Sequence, residues 1–216
     1  MMNAATLDAM YQKAIQHCAQ EVQRPRGQIR RRKARRARAL RDASILALTA
    51  AYGLAAGELV RLDVADVDLD AGTVTVRGKG DRGRVLPLRG SAIALLSAWV
   101  DAHGGSSAAL FLPLSKYGRV FGARMSARGL LHVVTARLLQ GQRQGRRAVA
   151  VVVPSLRDFR SHLKERLRRL GVRDGVIRKL LGLATRRPVT VTPAELAEAV
   201  EIADGFVHEG VRLPRG

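Results

Sequence analysis

Cysteine is almost missing from this 216-residue chain: Cys18 stands alone, which excludes an internal disulfide framework and any cysteine-rich zinc module. Its five histidines (His17, His103, His132, His162, His208) are scattered, with no i,i+4 pair and no acidic partner at metal-ligand spacing, so no metal is expected. Aromatic residues are only 4% of the chain, and none gives the basic segment near residue 160 the aromatic-rich face that membrane-surface helices use. The longest mostly apolar run, Ala43 to Ala56, is too short to span a bilayer, and Met1 to Gln20 has no signal-peptide h-region and cleavage site. No Gly-x-Ser-x-Gly or Cys/His arrangement for nucleophilic catalysis occurs. What is plentiful is apolar residue, at 47%, enough to bury a real core. The expectation is a soluble, cytoplasmic, nucleoid-associated protein with no cofactor and no membrane partner.

Acidic residues are few where basic ones cluster. The formal net charge is +20, and two stretches carry the excess. Val22 to Arg41 holds ten basic residues and no acid; Gln142 to Arg187 holds fourteen against Asp158, Glu165 and Asp174. Charge concentrated in this way is the footprint of a nucleic-acid surface, with a plain solvated basic face as the bland alternative.

Periodicity places the elements. Residues 1–21 read as a short helix with Leu7, Met10, Tyr11 and Ile15 on one side. The run Arg24 to Arg38 reads as an arm that orders only on phosphate, and a helix is expected to start near Arg41-Asp42 and stop at Gly53. From Leu59 the period shortens. Asp63, Asp66, Asp68 and Asp70 alternate with Val64, Val67 and Leu69 as a short strand or turn. Thr73 to Arg77 and Arg84 to Leu88 then flank the turn Gly78-Lys79-Gly80-Asp81-Arg82-Gly83, which makes a β-hairpin with a basic tip. Helices follow over Ser91–His103 and Ala127–Leu139. A basic loop at Gly141–Arg147 leads into the β-branched run Ala148–Val153, and Leu156 to Gly171 is a basic amphipathic helix. A short helix ends at Gly182, and Thr192-Pro193-Ala194-Glu195 has the pattern of a capped helix start.

Gly72 to Gly80 is not a phosphate loop, because five residues separate its first glycine from Gly78-Lys79 and no Ser or Thr follows. Four other boxes fall into order: Arg41-Asp42 with Ala51-Tyr-Gly-Leu-Ala-Ala-Gly-Glu-Leu59; Arg77-Gly-Lys-Gly-Asp-Arg-Gly-Arg-Val-Leu-Pro-Leu88; Pro154-Ser-Leu-Arg-Asp158; and Leu180-Leu-Gly-Leu183. Together they resemble the catalytic domain of the tyrosine recombinases, the phage integrase family, over about residues 40 to 205. The resemblance implies a domain whose cations hold a DNA phosphodiester while a tyrosine attacks it, with a general acid for the leaving oxygen.

Position by position, the match is incomplete. The first arginine of the family's G-L-R-x-x-E-L is Ala55 here; the hairpin lysine is present as Lys79; the arginine of H-x-L-R-H is Arg157, but Pro154 and Asp158 replace its histidines. The histidine of L-G-H is Leu183, and the tyrosine expected near Thr192 is missing, since no tyrosine follows Tyr117. Lys79 and Arg157 therefore read as remnants of a site that is otherwise lost, though Lys79 also suits ordinary turn chemistry and Arg157 an ordinary helix surface. Glu58 reads as structural. Asp158 puts negative charge beside the phosphate position.

The fold expected is mainly α with a small antiparallel β-hairpin or three-stranded sheet. Residues 1–40 would form a short helix and basic arm, 41–206 the recombinase-like domain, and 207–216 a tail. Family members carry a helical DNA-clamping domain ahead of the catalytic one, and the expectation is that the arm stands in for it or that the clamp is absent. The function expected is binding of duplex DNA in recombination or integration without strand cleavage, alone, as a second copy, or beside an active recombinase. Two rivals are a subunit completed in trans by a partner protomer, for which Pro193 to Gly205 is the candidate segment, and a general basic nucleic-acid-binding protein. The DNA-contacting residues expected are Arg30, Arg31, Arg32, Lys33, Arg35, Arg36, Lys79, Arg82, Arg84, Arg157, Arg160, Arg186 and Arg187.

Overall fold

One helix organises the molecule. In the computed structural model, which describes residues 4–24, 29–78, 83–105, 107–115, 117–118, 120, 124–142, 154–184 and 189–205, helix α2 (Ile29–Tyr52) runs through the middle of the core. Residues 39–54 are all buried, because apart from the paired Arg41 and Asp42 this half of α2 is largely apolar or small (Ala43, Ile45, Leu46, Ala47, Leu48, Ala50, Ala51). Its Ser44 and Thr49 hydroxyls donate to the Leu40 and Ile45 carbonyls at 2.9 and 2.8 Å, so neither is left unanswered.

The other elements pack around it. Helix α1 (Ala4–Gln23) lies along α2 with Leu7, Met10, Tyr11 and Ile15 buried, as its periodicity predicts. After α2 come a short helix α3 (Ala56–Leu59), a 3-10 turn (Val64–Asp66) and three strands, β1 (Val67–Asp68), β2 (Thr73–Val76) and β3 (Arg84–Pro87). They form an antiparallel sheet in the order β1-β2-β3, with Val74 opposite Leu86 and Val76 opposite Arg84. Helices α4 (Gly90–His103), α5 (Ala127–Gln142), α6 (Leu156–Arg169), α7 (Asp174–Leu181) and α8 (Pro193–Gly205) complete the described residues. The mainly helical fold with a small antiparallel sheet is thus the one the sequence predicts.

Polar contacts tie α1, α2 and α5 together beneath the surface. Asp42 accepts from the Arg41 Nε and the Arg137 Nε, both at 2.8 Å, while Arg137 Nη1 also donates to Glu21 at 2.8 Å. Arg41 Nη1 donates to the Leu112 carbonyl at 2.9 Å. Tyr11 packs its ring on Phe159 of α6, with centroids 3.6 Å apart.

The helix expected to begin near Arg41 begins twelve residues earlier, at Ile29. The basic run is therefore not a separate arm over residues 29–38 but the first turns of α2. Ala34 and Ala39 are buried along it, and alanine is the best helix former, so the chain gains helix and contact where a charge count alone suggests coil. The loop 143–147, the run Ala148–Val153 and the tail 207–216 lie outside the described residues.

Candidate nucleic-acid interface

The corner between α2 and α3 is where the site is built. Gly53 ends α2 with a φ of 59°, and a Cβ there would lie 2.4 Å from Leu181 Cδ2 and 3.1 Å from Leu163 Cδ2. Only glycine lets the chain turn this close to α6 and α7. The close approach brings Ala55 and Ala56 against the start of α6.

Between these elements lies a cleft of about 440 Å³, lined by Ala55, Ala56, Leu156, Arg157, Arg160, Ser161, Lys164, Leu181 and Leu183. Three of the four boxes singled out in the sequence meet here, through Ala55, Arg157 and Leu183. Its floor is apolar and its charge is all positive. Arg157 and Lys164 make no ion pair among the described residues, whereas Arg160 is partly spent. Arg160 Nη1 donates to Glu58 Oε2 at 3.2 Å, and its Nη2 donates to the Leu181 carbonyl at 2.5 Å. Burial lowers the pKa of Arg160 somewhat, against the pull of Glu58.

Behind the cleft, Glu58 gathers three partners. Its Oε1 accepts from Arg84 Nη1 at 2.6 Å, and its Oε2 accepts from the Ala55 backbone N–H at 2.8 Å as well as from Arg160. Burial opposes the charge on Glu58, yet the hydrogen bond and charge of Arg84, the Ala55 N–H and Arg160 outweigh it and hold the carboxyl below its ordinary pKa. Glu58 is structural, in keeping with the sequence reading.

Arg84 corrects an expectation. The basic hairpin suggests a DNA-facing side chain, but Arg84 is only 4% exposed, with its Nε donating to the Leu180 carbonyl at 2.8 Å. The reason is strand alternation: Arg84 and Leu86 point inward on β3 while Val85 points out, and Glu58 supplies the countercharge that makes the burial tolerable.

Arg157 opens α6, exposed at its first turn. The helix start is capped by Ser155, whose Oγ accepts the Asp158 N–H at 3.2 Å, while Asp158 Oδ2 accepts from the Ser155 N–H at 2.9 Å and from its hydroxyl at 2.8 Å. These hydrogen bonds hold the Asp158 carboxyl below its usual pKa. Its charge is thus engaged in a capping box, a role the Ser155-x-x-Asp158 spacing encodes and sequence reasoning missed. Lys164 was missed as well, although it stands two turns from Arg157 on the same face of α6.

The first turns of α2 give a second cationic surface. Arg31, Arg32, Lys33 and Arg36 are exposed; Arg35 is half-buried, with Nη2 donating to the Arg24 carbonyl at 2.8 Å. Arg32, Lys33 and Arg36 share one face, at the spacing that makes helix residues neighbours. The Arg30 side chain, Lys79 and Arg82 at the hairpin tip, and Arg186 and Arg187 after α7 lie outside the described residues. Among the described residues no group of His, Cys, Asp and Glu could hold a metal ion, and no helix is long and apolar enough to cross a membrane.

Helix α8 begins as its sequence predicts. Thr192 Oγ1 accepts the Glu195 N–H at 3.2 Å, and Glu195 Oε2 accepts the Thr192 N–H at 2.8 Å. The helix is docked in cis, with Leu196, Ala199, Val200 and Ala203 buried against the rest of the domain.

A central buried helix, a three-stranded sheet behind it and a cationic cleft at the head of α6 define a tyrosine-recombinase catalytic fold. The chain belongs to the phage integrase family, whose model matches residues 19–190. Two curated relatives are tyrosine recombinases XerC. That of Xanthomonas campestris pv. campestris (strain B100) is 43% identical over 84 residues, covering 39% of this chain and 25% of its own length. That of Xylella fastidiosa (strain 9a5c) is 41% identical over 128 residues, covering 58% of this chain and 40% of its own length. The chain thus spans less than half the length of these relatives. Among solved structures, XerA recombinase superposes with a TM-score of 0.55 at 17% identity, covering 86% of this chain and 60% of that one. The integrase from mycobacterium phage Brujita gives 0.53 at 20% identity, covering 88% and 57%. At such identities the likeness concerns the fold alone.

Proposed function

We propose that this chain binds duplex DNA in a recombination or integration setting and holds it without cutting it. The cleft carries the reading. Its two uncompensated cations, Arg157 and Lys164, stand beside an apolar lining where a phosphate can be gripped, and no tyrosine is among the described residues that line it. Phosphoryl transfer needs a nucleophile and an acid for the leaving group. Ala55, Leu156, Leu181 and Leu183 supply neither, and the Ser161 hydroxyl has no carboxylate or histidine beside it among the described lining residues.

Two of the three tyrosines, Tyr11 and Tyr52, are held in the core. Tyr52 is nearest the cleft in sequence, but it is fully buried, its hydroxyl accepts the Arg89 N–H at 3.0 Å, and burial pushes its pKa up. Tyr11 is buried under α6 with its pKa raised likewise. At the position expected for the nucleophile, Thr192 is engaged in capping α8. Completion in trans by α8 has no support here, because that helix already packs on its own domain.

The test compares two arginines of one helix. Arg157 faces the cleft, whereas Arg169 lies about a third of a turn round α6 and pairs with Glu165 at 3.3 Å. Arg157→Ala should weaken duplex binding by roughly 1–2 kcal/mol, the loss of one charge-assisted hydrogen bond. Arg169→Ala should cost less than about 0.5 kcal/mol. Equal losses would mean a diffuse basic surface and favour a general nucleic-acid-binding protein.

A further inference from the structure

The charge around the cleft does not balance. Arg157, Arg160 and Lys164 line it, and Arg84 and Glu58 pair directly behind it. Gly182 shows how close behind. Leu181 and Leu183 line the cleft, while a Cβ on Gly182 between them would lie 2.5 Å from Arg84 Nη1 and 3.3 Å from Glu58 Oε1. A single thickness of backbone, at a φ of +60° that glycine adopts freely, separates the buried pair from the cleft wall.

Glu58 is shared, with Oε1 on Arg84 and Oε2 on Arg160. One negative charge thus answers two guanidiniums, and Arg84 Nη2 stays buried with no hydrogen-bond acceptor among the described residues. At the rim, Asp158 feels the charge of Arg157, its neighbour in the chain, while its Oδ2 is held in the Ser155 cap. Four cations therefore stand against two carboxylates, a surplus of two positive charges among the described residues. Part of that surplus lies behind the wall, where water screens it least. A phosphate within a DNA strand carries one negative charge, whereas a terminal phosphate carries about 1.5 to 2 at neutral pH. The surplus matches the second.

We propose that the cleft takes the terminal phosphate of a DNA strand, at a gap or an end, in preference to a phosphate within the strand. Arg157 and Lys164 are its direct partners, and the unbalanced group of Arg84, Glu58 and Arg160 adds its field from behind. The inference rests on the nucleic-acid reading above and names which phosphate that reading concerns. It also has a pH signature. Glu58 and Asp158 are held below the ordinary carboxylate range, no histidine is among the described lining residues, and arginine and lysine stay charged. The described lining therefore keeps its charge through weakly acidic pH. A terminal phosphate does not, since its second pKa is about 6.

The experiment measures binding by fluorescence anisotropy to a labelled duplex with a single-nucleotide gap, whose 5′ or 3′ end is either phosphorylated or left as a hydroxyl. The protein should favour a phosphorylated end by about tenfold at about pH 7.5, the size of one charge-assisted hydrogen bond, and by less than about threefold at about pH 5. Lys164→Gln and Arg157→Gln should each remove most of the preference, and Arg169→Gln, outside the cleft, should leave it. The preference is a ratio within one protein, so a general loss of affinity does not imitate it, and unchanged unfolding midpoints check the fold. No preference in the wild-type protein, a preference unmoved by pH, or one lost equally in Arg169→Gln would overturn the proposal while leaving duplex binding intact. Thymidine 5′-monophosphate competing at concentrations equal to the DNA's would make a free nucleotide the ligand and overturn the DNA end. Failure to bind any of the DNAs would overturn the nucleic-acid reading, and this inference with it.

Discussion

Removing the Glu58 carboxylate is the sharpest perturbation of the architecture behind the cleft. Glu58→Ala leaves the Arg84 guanidinium, whose side chain is 1% exposed, without a countercharge, and it strips the Ala55 N–H of its acceptor. Breaking a buried ion pair by deleting one partner costs about 3–5 kcal/mol. Set against a typical domain stability of about 5–15 kcal/mol, that is a large share. Glu58→Gln keeps the shape and an acceptor but loses the charge, and should cost about 1.5–3 kcal/mol. Glu58→Leu combined with Arg84→Met removes both buried charges at once and should cost clearly less than the sum of the two single changes. Urea unfolding followed by circular dichroism gives these values from the midpoint and slope. The pH dependence has a definite sign. Because the folded-state pKa of Glu58 is lowered, its stabilisation is complete above the ordinary glutamate pKa and fades as pH falls through the lower folded value. Glu58→Gln should flatten that acid limb. A loss below about 1 kcal/mol for Glu58→Ala, or a fully additive double variant, would refute the argument.

Three other outcomes are expected. Changing Arg32, Lys33 and Arg36 together to Gln should lower the log–log salt slope of DNA binding by about 0.9 for each phosphate no longer neutralised, with the unfolding midpoint unchanged; an unchanged slope would turn that face of α2 away from DNA. Substitution is the right test there, because deleting the run would also remove the buried Ala34. On a nicked suicide duplex, a denaturing gel should show no covalent protein–DNA adduct, and a single heat-stable adduct band would defeat the non-cleaving reading. Ser155→Ala should destabilise the domain by about 1 kcal/mol through loss of the α6 cap, read from the same urea titration.

Periodicity and punctuation carried most of the fold. The hairpin, the amphipathic α6, the Gly53 stop and the Thr192–Glu195 cap are all local patterns, visible within a few residues of themselves. What could not be read locally was what faces what. The run from Ile29 to Arg38 has the charge of a disordered arm, and only its close approach to Gly118, some eighty residues away, shows Ala34 as a seam. Arg84 reads as one more cation of a basic hairpin until Glu58 is seen 26 residues earlier in the chain and 2.6 Å away in space. In both cases the missing fact is a partner distant in sequence, and charge composition is a poor guide to burial when the countercharge is elsewhere. Arg157 was legible because its box places it at a helix start. Lys164 was passed over because it belongs to no box and enters the site only through helical spacing.

The geometry also explains how the cleft can keep its shape independently of the side chains that line it. The position of residue 55 does not depend on its side chain. Gly53 sets the turn, the Glu58 carboxylate holds the Ala55 N–H, and Arg84 and Arg160 fasten Glu58 to the last carbonyls of α7. Likewise the head of α6 is set by the Ser155–Asp158 cap, which leaves Arg157 directed by the helix and not by any partner in the cleft. The groups that shape the cleft therefore lie behind its surface, and those that would react lie on it. Alanine at 55 and leucine at 183 change what the surface can do to a phosphate without loosening what holds the surface in place. A cleft built in this way keeps its shape and positive charge whatever side chains stand at positions 55 and 183, which is what the proposed reading, binding of DNA without strand cleavage, requires.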